Sequence, residues 1–394
     1  MKLRPVLLVA VLVSSAGLAL LVRNHPAWIA QEEWFLDFLV ANTRERFESE
    51  KLQPAENLVF IEFNEKDKAE YGAWPPAPID YIMVLKKLRA HDPGVVAFSD
   101  LLKWPGADTQ FVDELQHALV GFSQVALAFQ ATTGATLESG LVSEEKEVPS
   151  MAAVEGDSSA VPALSRLIFP DARLSRQMQL GFVATELDHP EQVPSLLLAR
   201  ADSRLVPSLA AQMIALQSRA PYISQRLRFG AGAGLYLGNE RFIPMAADGT
   251  ARPNLTGDFL RVNALELQTP DLGDAAAKVL AEKLGKNKLI VVGVSPSPGE
   301  THVRLAAWAL ALPQLKPAPD YVIWLAAFIA ALCALWQLRF SRWGALVFGV
   351  CAVALLLGST LVIFQTWLVW WPPMLPVLLL LAGSVFCVAW PRKS

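Results

Sequence analysis

Carboxylates near the ends of short apolar runs are the first candidates for chemistry in this chain. Glu62 lies in the run LVFIEF, Glu65 follows it, and Asp100 lies in the run VVAFSDLL. Such groups transfer protons in catalysis only where they converge with a nucleophile or a metal. The sequence places no such partner beside them, so we predict no catalytic residues.

The loop GVSPSPGE, which follows the apolar run KLIVVGV, is a second candidate site. Gly293, Ser295, Ser297 and Gly299 permit a close approach of the backbone to an anion. The two prolines of the loop lack N–H groups and remove two potential donors. We therefore predict that Ser295 and Ser297 contribute to a ligand site.

Metal and cofactor signals are weak. No histidine pairs with a cysteine or with another histidine at ligand spacing, so we interpret the histidines as scattered surface residues and predict neither a metal site nor a cofactor. The histidines are His25, His91, His117, His189 and His302. The pattern G-x-G-x-G at 230–234 precedes no strand-to-helix transition and indicates a turn or hairpin entry, not a dinucleotide site. All three cysteines fall in the apolar C-terminal third, which excludes a disulfide in the middle region.

Strands that alternate with helices must position these residues. The runs at 58–63 and 95–102 flank an amphipathic helix in which Tyr81 and Leu88 share one face and Asp80 is a plausible N-cap. A second helix containing Phe111 precedes a strand at 124–129. Alternation of this kind predicts an α/β fold with a parallel or mixed sheet and flanking helices.

The remainder of the middle region is less regular. Residues 131–163 are acidic and rich in Ser, Gly and Ala, which predicts a mobile loop within the domain. Later segments predict a strand at 180–185, a helix at 203–218, a hairpin region, a helix at 274–284 and a strand at 288–294.

The hydropathy pattern predicts four membrane spans. Only 18% of the residues are charged, against about 25% in a typical globular chain. Apolar segments near 6–22, 321–338, 343–364 and 373–390 approach the 20 or so residues that cross a bilayer, and tryptophans crowd their ends. The first segment is either a retained anchor or a cleaved signal peptide.

Basic residues set the orientation. They precede the first span, occupy the short loop that contains Arg339 and Arg342, and follow the last span. The positive-inside rule then places both ends of the chain in the cytoplasm. We predict an N-terminal anchor at 1–23, an extracytoplasmic domain at 24–319, and three spans with a short cytoplasmic tail at 320–394. The net charge of −3 gives no indication of a nucleic-acid partner.

The order of these motifs resembles the type-2 CHASE domain, an extracellular sensory module of bacterial cyclases and histidine kinases. The resemblance spans nearly the whole chain. It rests on an N-terminal anchor, WFLDFLVANTRERF, NLVFIEFNEKDKAEYGAWP, LGFVATELD, LYLGNERFIPMAADGTARPNL, KLIVVGVSPSPGE, and three final spans introduced by WWPPMLP.

The resemblance implies a polar ligand site after the core strands. Asn64 and Glu65 stand where the family usually has an acidic pair, and Trp74 belongs to a Trp-Pro signature that here lacks the usual arginine. Asp100 comes one residue later than the family's aspartate, and such a shift turns a side chain to the opposite face of a strand. Trp74 is also suited to packing at the rim of the domain. The predicted ligand-binding residues are Asn64, Glu65, Trp74, Asp100, Ser295 and Ser297.

These features predict a multi-pass sensory or interaction protein of the bacterial inner membrane. Most family members continue into a cytoplasmic output domain, whereas this sequence stops shortly after Trp390, so we expect a separate output partner. The alternatives are a tethered periplasmic hydrolase that uses Asp100 or Ser295, and a scaffold whose sensing site has decayed. Expected partners are the lipid bilayer, an unidentified small molecule, and a second copy of the chain or another protein. Glycines in the spans would permit close helix contact: Gly344, Gly349, Gly358 and Gly383.

Overall fold

A computed structural model describes most of the chain. The described residues are 3–22, 25–43, 55–133, 149–151, 153–176, 178–186, 196–201, 203–220, 222–230, 233–238, 241–251, 258–268, 274–311 and 316–390. The centre of the predicted acidic loop, residues 134–148, lies outside them. Both flanks of that predicted loop contain strand, because one strand extends to Thr133 and another lies at Ala153–Glu155.

The described elements alternate as the sequence predicts. The strands are β1 Ala55–Asn64, β2 Val95–Leu101, β3 Val125–Thr133, β4 Ala153–Glu155, β5 Leu164–Ile168, β6 Gln179–Glu186, β7 Leu198–Ala201, β8 Arg204–Pro207, β9 Gln225–Arg228, β10 Gly234–Leu237, β11 Arg241–Pro244, β12 Phe259–Asn263, β13 Leu289–Ser295, β14 Lys316–Pro317 and β15 Val369–Trp370. The helices are α1 Leu3–Val22, α2 Pro26–Asn42, α3 Pro78–Leu88, α4 Thr109–Val120, α5 Ala172–Ser175, α6 Leu209–Gln217, α7 Ala264–Gln268, α8 Asp274–Leu284, α9 Pro298–Ala311, α10 Asp320–Trp336, α11 Arg342–Trp367 and α12 Met374–Ala389. Short 3-10 helices lie at Glu65–Glu70, Arg89–His91, Tyr222–Ser224 and Gln337–Arg339.

The main sheet has seven strands within the part of the chain that the structure describes. Its order is β12-β1-β13-β2-β3, and β3 also pairs with β5 and β6. Neighbouring strands run parallel except for β5, which is antiparallel to β3. The five predicted strands correspond to β1, β2, β3, β6 and β13, so the predicted mixed α/β sheet is confirmed.

Helices cover both faces of this sheet because its strands are apolar on both faces. Leu85 of α3 and Leu115 of α4 pack on the face that carries Phe98. On the opposite face, Met213 of α6 and Trp308 of α9 pack together in a second buried cluster.

Two local predictions need correction. Asp80 is not the N-cap of α3: it lies one turn inside the helix, where its carboxylate accepts a hydrogen bond from the N–H of Ala77, the residue at the N-cap position (2.8 Å). The helix predicted at 203–218 begins only at Leu209, because residues 204–207 form β8, which pairs with β7.

A second, smaller sheet contains the predicted hairpin. Its order is β11-β10-β9-β4, with β10 and β11 antiparallel and Gly234 opening β10. Helix α2 connects this sheet to the apolar helices, because its Phe35 and Leu39 share a buried cluster with Phe242 of β11 and Phe364 of α11.

Two helical segments in the described part of the chain are long and apolar enough to cross a membrane. They are Tyr321–Arg339 and Arg342–Trp367, while Pro5–Ala19 and Met374–Ala389 are shorter apolar helices. Helix α12 packs against α1, α10 and α11. Two of the glycines predicted for helix contact allow close packing between helices of the same chain, because a Cβ at Gly349 or Gly383 would clash with a neighbouring helix. A Cβ at Gly358 would meet open space.

Candidate ligand site at the carboxyl edge of the sheet

Three predicted site residues lie near one edge of the main sheet. Asn64 ends β1, Ser295 ends β13 and Asp100 lies one residue before the end of β2. Because β13 lies between β1 and β2 and all three strands are parallel, their carboxyl ends are adjacent, and Asn64 is directly opposite Ser295 in the ladder. Open α/β sheets bind ligands just outside the carboxyl ends of their strands.

Asp100 is the most strongly perturbed of these residues. The N–H of Val294 donates a hydrogen bond to its carboxylate, and the hydroxyl of Ser99 contacts the same oxygen at 3.4 Å. Burial raises the pKa of Asp100 to about 6, although the hydrogen bond from Val294 and the nearby hydroxyls of Ser297 and Ser99 lower it in part. Asp100 can therefore gain or lose a proton near neutral pH, and a change of ligand or environment would alter its charge.

Close packing connects the end of β2 to the loop after β13. A Cβ at Gly293 would lie 1.7 Å from the hydroxyl oxygen of Ser99, and one at Gly299 would lie 2.0 Å from the carbonyl oxygen of Ser99. Both glycines are therefore required by the position of Ser99.

The two predicted serines differ in their contacts. The hydroxyl of Ser295 donates to Glu300 Oε2 at 3.0 Å and lies 3.4 Å from the guanidinium of Arg261. The hydroxyl of Ser297 is buried and close enough to lower the pKa of Asp100, but it makes no hydrogen bond of ordinary geometry. Ser295 thus belongs to a charged network, and Ser297 to the surroundings of Asp100.

Sequence reasoning missed that charged network. The guanidinium of Arg261 on β12 donates to Glu62 at 2.8 Å and also to Glu300, which accepts a further bond from Arg304 at 2.9 Å. Arginine and carboxylate side chains here hold the first turn of α9 against β1 and β12. The available signal was Glu62 on β1, but its partner lies 199 residues away along the chain.

Asn64, Glu65 and Trp74 make structural contacts at or beside this edge. The side chain of Asn64 accepts from the N–H of Lys66 at 2.9 Å and caps the 3-10 helix, while Glu65 is exposed in its first turn. The ring of Trp74 is half-buried and lies 6.0 Å from the ring of Tyr71. The observed contacts of Trp74 are therefore the packing contacts suggested by its sequence position.

One histidine does not fit the surface interpretation. His302 on α9 is fully buried, with its ring 6.0 Å from that of Phe182 in an edge-to-face arrangement, and burial lowers its pKa to about 4. The prediction of a surface position is wrong for this residue because α9 turns that face toward the sheet. Among the described residues, no group of three or more His, Cys, Asp or Glu side chains is arranged to hold a metal ion.

Comparison with known proteins identifies the family of this chain. A model of the CHASE2 domain family matches residues 7–385, nearly the whole chain, and this family consists of extracellular sensory domains. Neither the curated proteins nor the solved structures give a significant match. The extent of the family match, together with the α/β sheet described above, shows that this chain belongs to the CHASE2 domain family.

Proposed function

We propose that this chain is a membrane-anchored extracytoplasmic sensor that binds a small polar ligand at the carboxyl edge of its main sheet. It passes the signal through its apolar helices to a separate partner protein. One observation carries this proposal: helix α9 begins at the candidate site and leads to the strand that pairs with the connection between α11 and α12.

The first turn of α9 is held closely against the candidate site. Gly299, in the first turn of α9, packs directly on the backbone of Ser99, and Glu300 is bonded to Arg261 and Ser295. A ligand that displaces the end of β2 must therefore displace the start of α9 or break these contacts.

The chain that follows α9 contacts the connection between the apolar helices α11 and α12. Helix α9 has 14 residues, or about 21 Å at 1.5 Å per residue. Soon after it, Lys316 and Pro317 pair with Val369 and Trp370, and the N–H of Ala318 donates to the carbonyl of Trp370 at 2.8 Å. Movement of α9 would therefore be transmitted to the connection between α11 and α12.

The membrane placement rests on hydropathy and charge. The segments Tyr321–Arg339 and Arg342–Trp367 cross the bilayer, and the shorter apolar helices α1 and α12 pack beside them in the bilayer. The basic loop at 339–342 lies in the cytoplasm. A ligand then shifts the arrangement of the spans only through a difference in its affinity for two arrangements.

The contacts of Ser295 favour sensing over the hydrolase alternative. A nucleophilic serine needs its hydroxyl directed at a base that accepts its proton. Here the hydroxyl of Ser295 donates to Glu300, a carboxylate whose charge is held by Arg261 and Arg304 and whose pKa is lowered by them despite partial burial. Such a carboxylate is a poor base.

The coupling is testable with a fluorescent probe at β14. In a full-length chain without native cysteines, reconstituted in lipid nanodiscs, Lys316→Cys labelled with bimane would be close to Trp370, which quenches bimane at short range. Arg261→Gln, which releases the start of α9, should change the bimane intensity. The matched control is Glu114→Gln on the exposed surface of α4.

Equal intensities for the two variants would contradict coupling through α9.

The ligand is sought in the same preparation by screening small polar metabolites for one that raises the melting temperature, since a ligand that binds the folded state stabilises it by mass action. Co-purification from native membranes then tests for the partner, and a chain that always emerges alone would contradict the proposed output.

A further inference from the structure

Helix α2 buries an apolar face that contains Phe35 and Leu39, but its exposed face and its acidic residues differ from those of an ordinary surface helix. Its exposed face carries Trp34 and Phe38, which are 66% and 41% exposed and stack on each other with ring centroids 5.9 Å apart. Its acidic residues face inward: Glu32 is only 5% exposed, and Glu33 and Asp37 are half-buried. The helix contains no lysine or arginine.

This distribution is unfavourable in water. A surface helix of a soluble protein normally places apolar residues inward and charged residues outward. Here a buried carboxylate oxygen of Glu32 has no hydrogen-bond partner, and burial raises the pKa of Glu32 to about 7. The aromatic pair outside and the carboxylates inside both indicate that the outer face of α2 does not meet bulk water.

The acidic face is attached to the rest of the domain. The carboxylate of Glu33 accepts a hydrogen bond from the N–H of Ala247 at 3.1 Å, just after β11. The indole N–H of Trp28 donates to Glu32 at 3.0 Å. The bond to Glu32 lies within α2, whereas the hydrogen bond from Ala247 and the buried apolar face of the helix fix its rotation about its axis. The aromatic pair therefore cannot turn inward without breaking these contacts.

Both ends of α2 lie at the ends of apolar helices. Its first residue, Pro26, follows the last residue of α1 by four positions. At its other end, the carbonyl of Asn42 accepts from the side chain of Gln365 at 3.3 Å, two residues before α11 ends. Since α2 is about 25 Å long, at 1.5 Å per residue, it runs across the ends of these helices and not away from them.

The exposed aromatics of α2 continue a wider aromatic zone. Trp367 at the end of α11 and Tyr321 and Trp324 at the start of α10 are exposed in the same manner. Tryptophan and tyrosine concentrate at the level of lipid headgroups. This continuity favours lipid over a second copy of the chain as the occupant of the outer face.

We propose that α2 is an interfacial helix, whose Trp34 and Phe38 insert into the headgroup region of the extracytoplasmic leaflet. Its partner is thus a lipid surface, and its inward carboxylates hold the small sheet close to the membrane. This inference rests on the membrane placement given under the proposed function, and it adds a second contact between the domain and the bilayer beyond the spans.

Site-directed spin labelling in nanodiscs tests the inference. In the full-length chain without native cysteines, Trp34→Cys and Phe38→Cys carry the label in separate preparations. Phe111→Cys on α4 is the matched control, because Phe111 is 42% exposed, about the same as Phe38, but lies on the main domain. Phe328→Cys, exposed in the middle of α10, reports lipid directly.

The measured quantity is the ratio of collision rates with oxygen, which enters lipid, and with a water-soluble nickel chelate. We expect this ratio to be several-fold higher at positions 34 and 38 than at 111, and intermediate between 111 and 328. Ratios at 34 and 38 equal to that at 111, with a high ratio at 328, would overturn the interfacial helix and leave the spans intact. A low ratio at 328 would overturn the membrane placement itself. Short label-to-label distances between two copies, appearing together with a low oxygen ratio, would assign the face to a dimer instead.

Discussion

Replacement of the buried aspartate gives the sharpest test of the candidate site. Asp100→Asn keeps the size of the side chain and an oxygen that accepts the hydrogen bond of Val294, but removes the ionisable group. In the folded chain the pKa of Asp100 is raised from 3.8 to about 6. Since one pKa unit corresponds to about 1.4 kcal/mol, ionised Asp100 destabilises the fold by about 3 kcal/mol above pH 6.

The sign follows from proton binding. Between pH 4 and pH 6 the folded state holds a proton on Asp100 that the unfolded state has lost, so the folding stability contributed by this group is present below about pH 4 and is lost as pH rises through 6. Asp100→Asn should therefore flatten this part of the pH dependence. At pH 7.5 it should raise the melting temperature by several degrees.

The assay is intrinsic tryptophan fluorescence during heating of the full-length protein in detergent, from pH 4 to pH 8. Glu65→Gln, an exposed neutralisation at the same edge, is the matched control and should leave the profile unchanged. If Asp100→Asn gave the wild-type profile and melting temperature, the buried, perturbed state of this carboxylate would be refuted.

Three further substitutions test the packing around the site and the burial of Glu32 in α2. Glu32→Gln should remove the loss of stability between about pH 4.5 and pH 7, because the pKa of Glu32 is raised to about 7, and thermal melting across that range checks it. Arg261→Met should destabilise the domain by about 2 kcal/mol, because the partly buried Glu62 loses its cation and Glu300 keeps only Arg304, and the melting temperature at pH 7.5 measures this. Gly293→Ala should cost about 1–3 kcal/mol by overpacking against Ser99, and Ser99→Gly in the same chain should restore most of the loss; no rescue would contradict the close packing.

The main sheet was predictable because each of its central strands has a recognisable local sequence pattern. The runs that became β1, β2 and β13 are apolar and rich in β-branched residues, which is the pattern of strands buried on both faces. Strand β12 was missed because Arg261 interrupts its apolar run. The side chain is tolerated at this position only because Glu62 and Glu300 arrive from distant parts of the chain.

The candidate site was predictable in position but not in detail. Parallel strands bring Asn64, Asp100 and Ser295 to one edge, which follows from the order of strands and helices. The role of Ser99 in fixing Gly293 does not follow from residue spacing, because it depends on the separation of two strands and a helix. The burial of the side chains at this site also cannot be predicted from the local sequence.

Helix α2 shows the same limit from the opposite direction. Its sequence contains both acidic and aromatic residues, and only the tertiary structure shows that Glu32 is buried whereas Trp34 is exposed. Local patterning would place Glu32 in water and Trp34 in the core. The reverse arrangement appears because α2 lies between the small sheet and the ends of the apolar helices.

The sidedness of the candidate site is the central claim, and cysteine labelling in intact cells tests it most directly. In a chain without native cysteines, Glu65→Cys reports the exposed edge of the site and Arg339→Cys reports the loop between α10 and α11. A membrane-impermeant maleimide should label position 65 in intact cells and position 339 only after permeabilisation. Labelling of position 339 but not position 65 in intact cells would contradict the extracytoplasmic placement and, with it, the proposed sensory function.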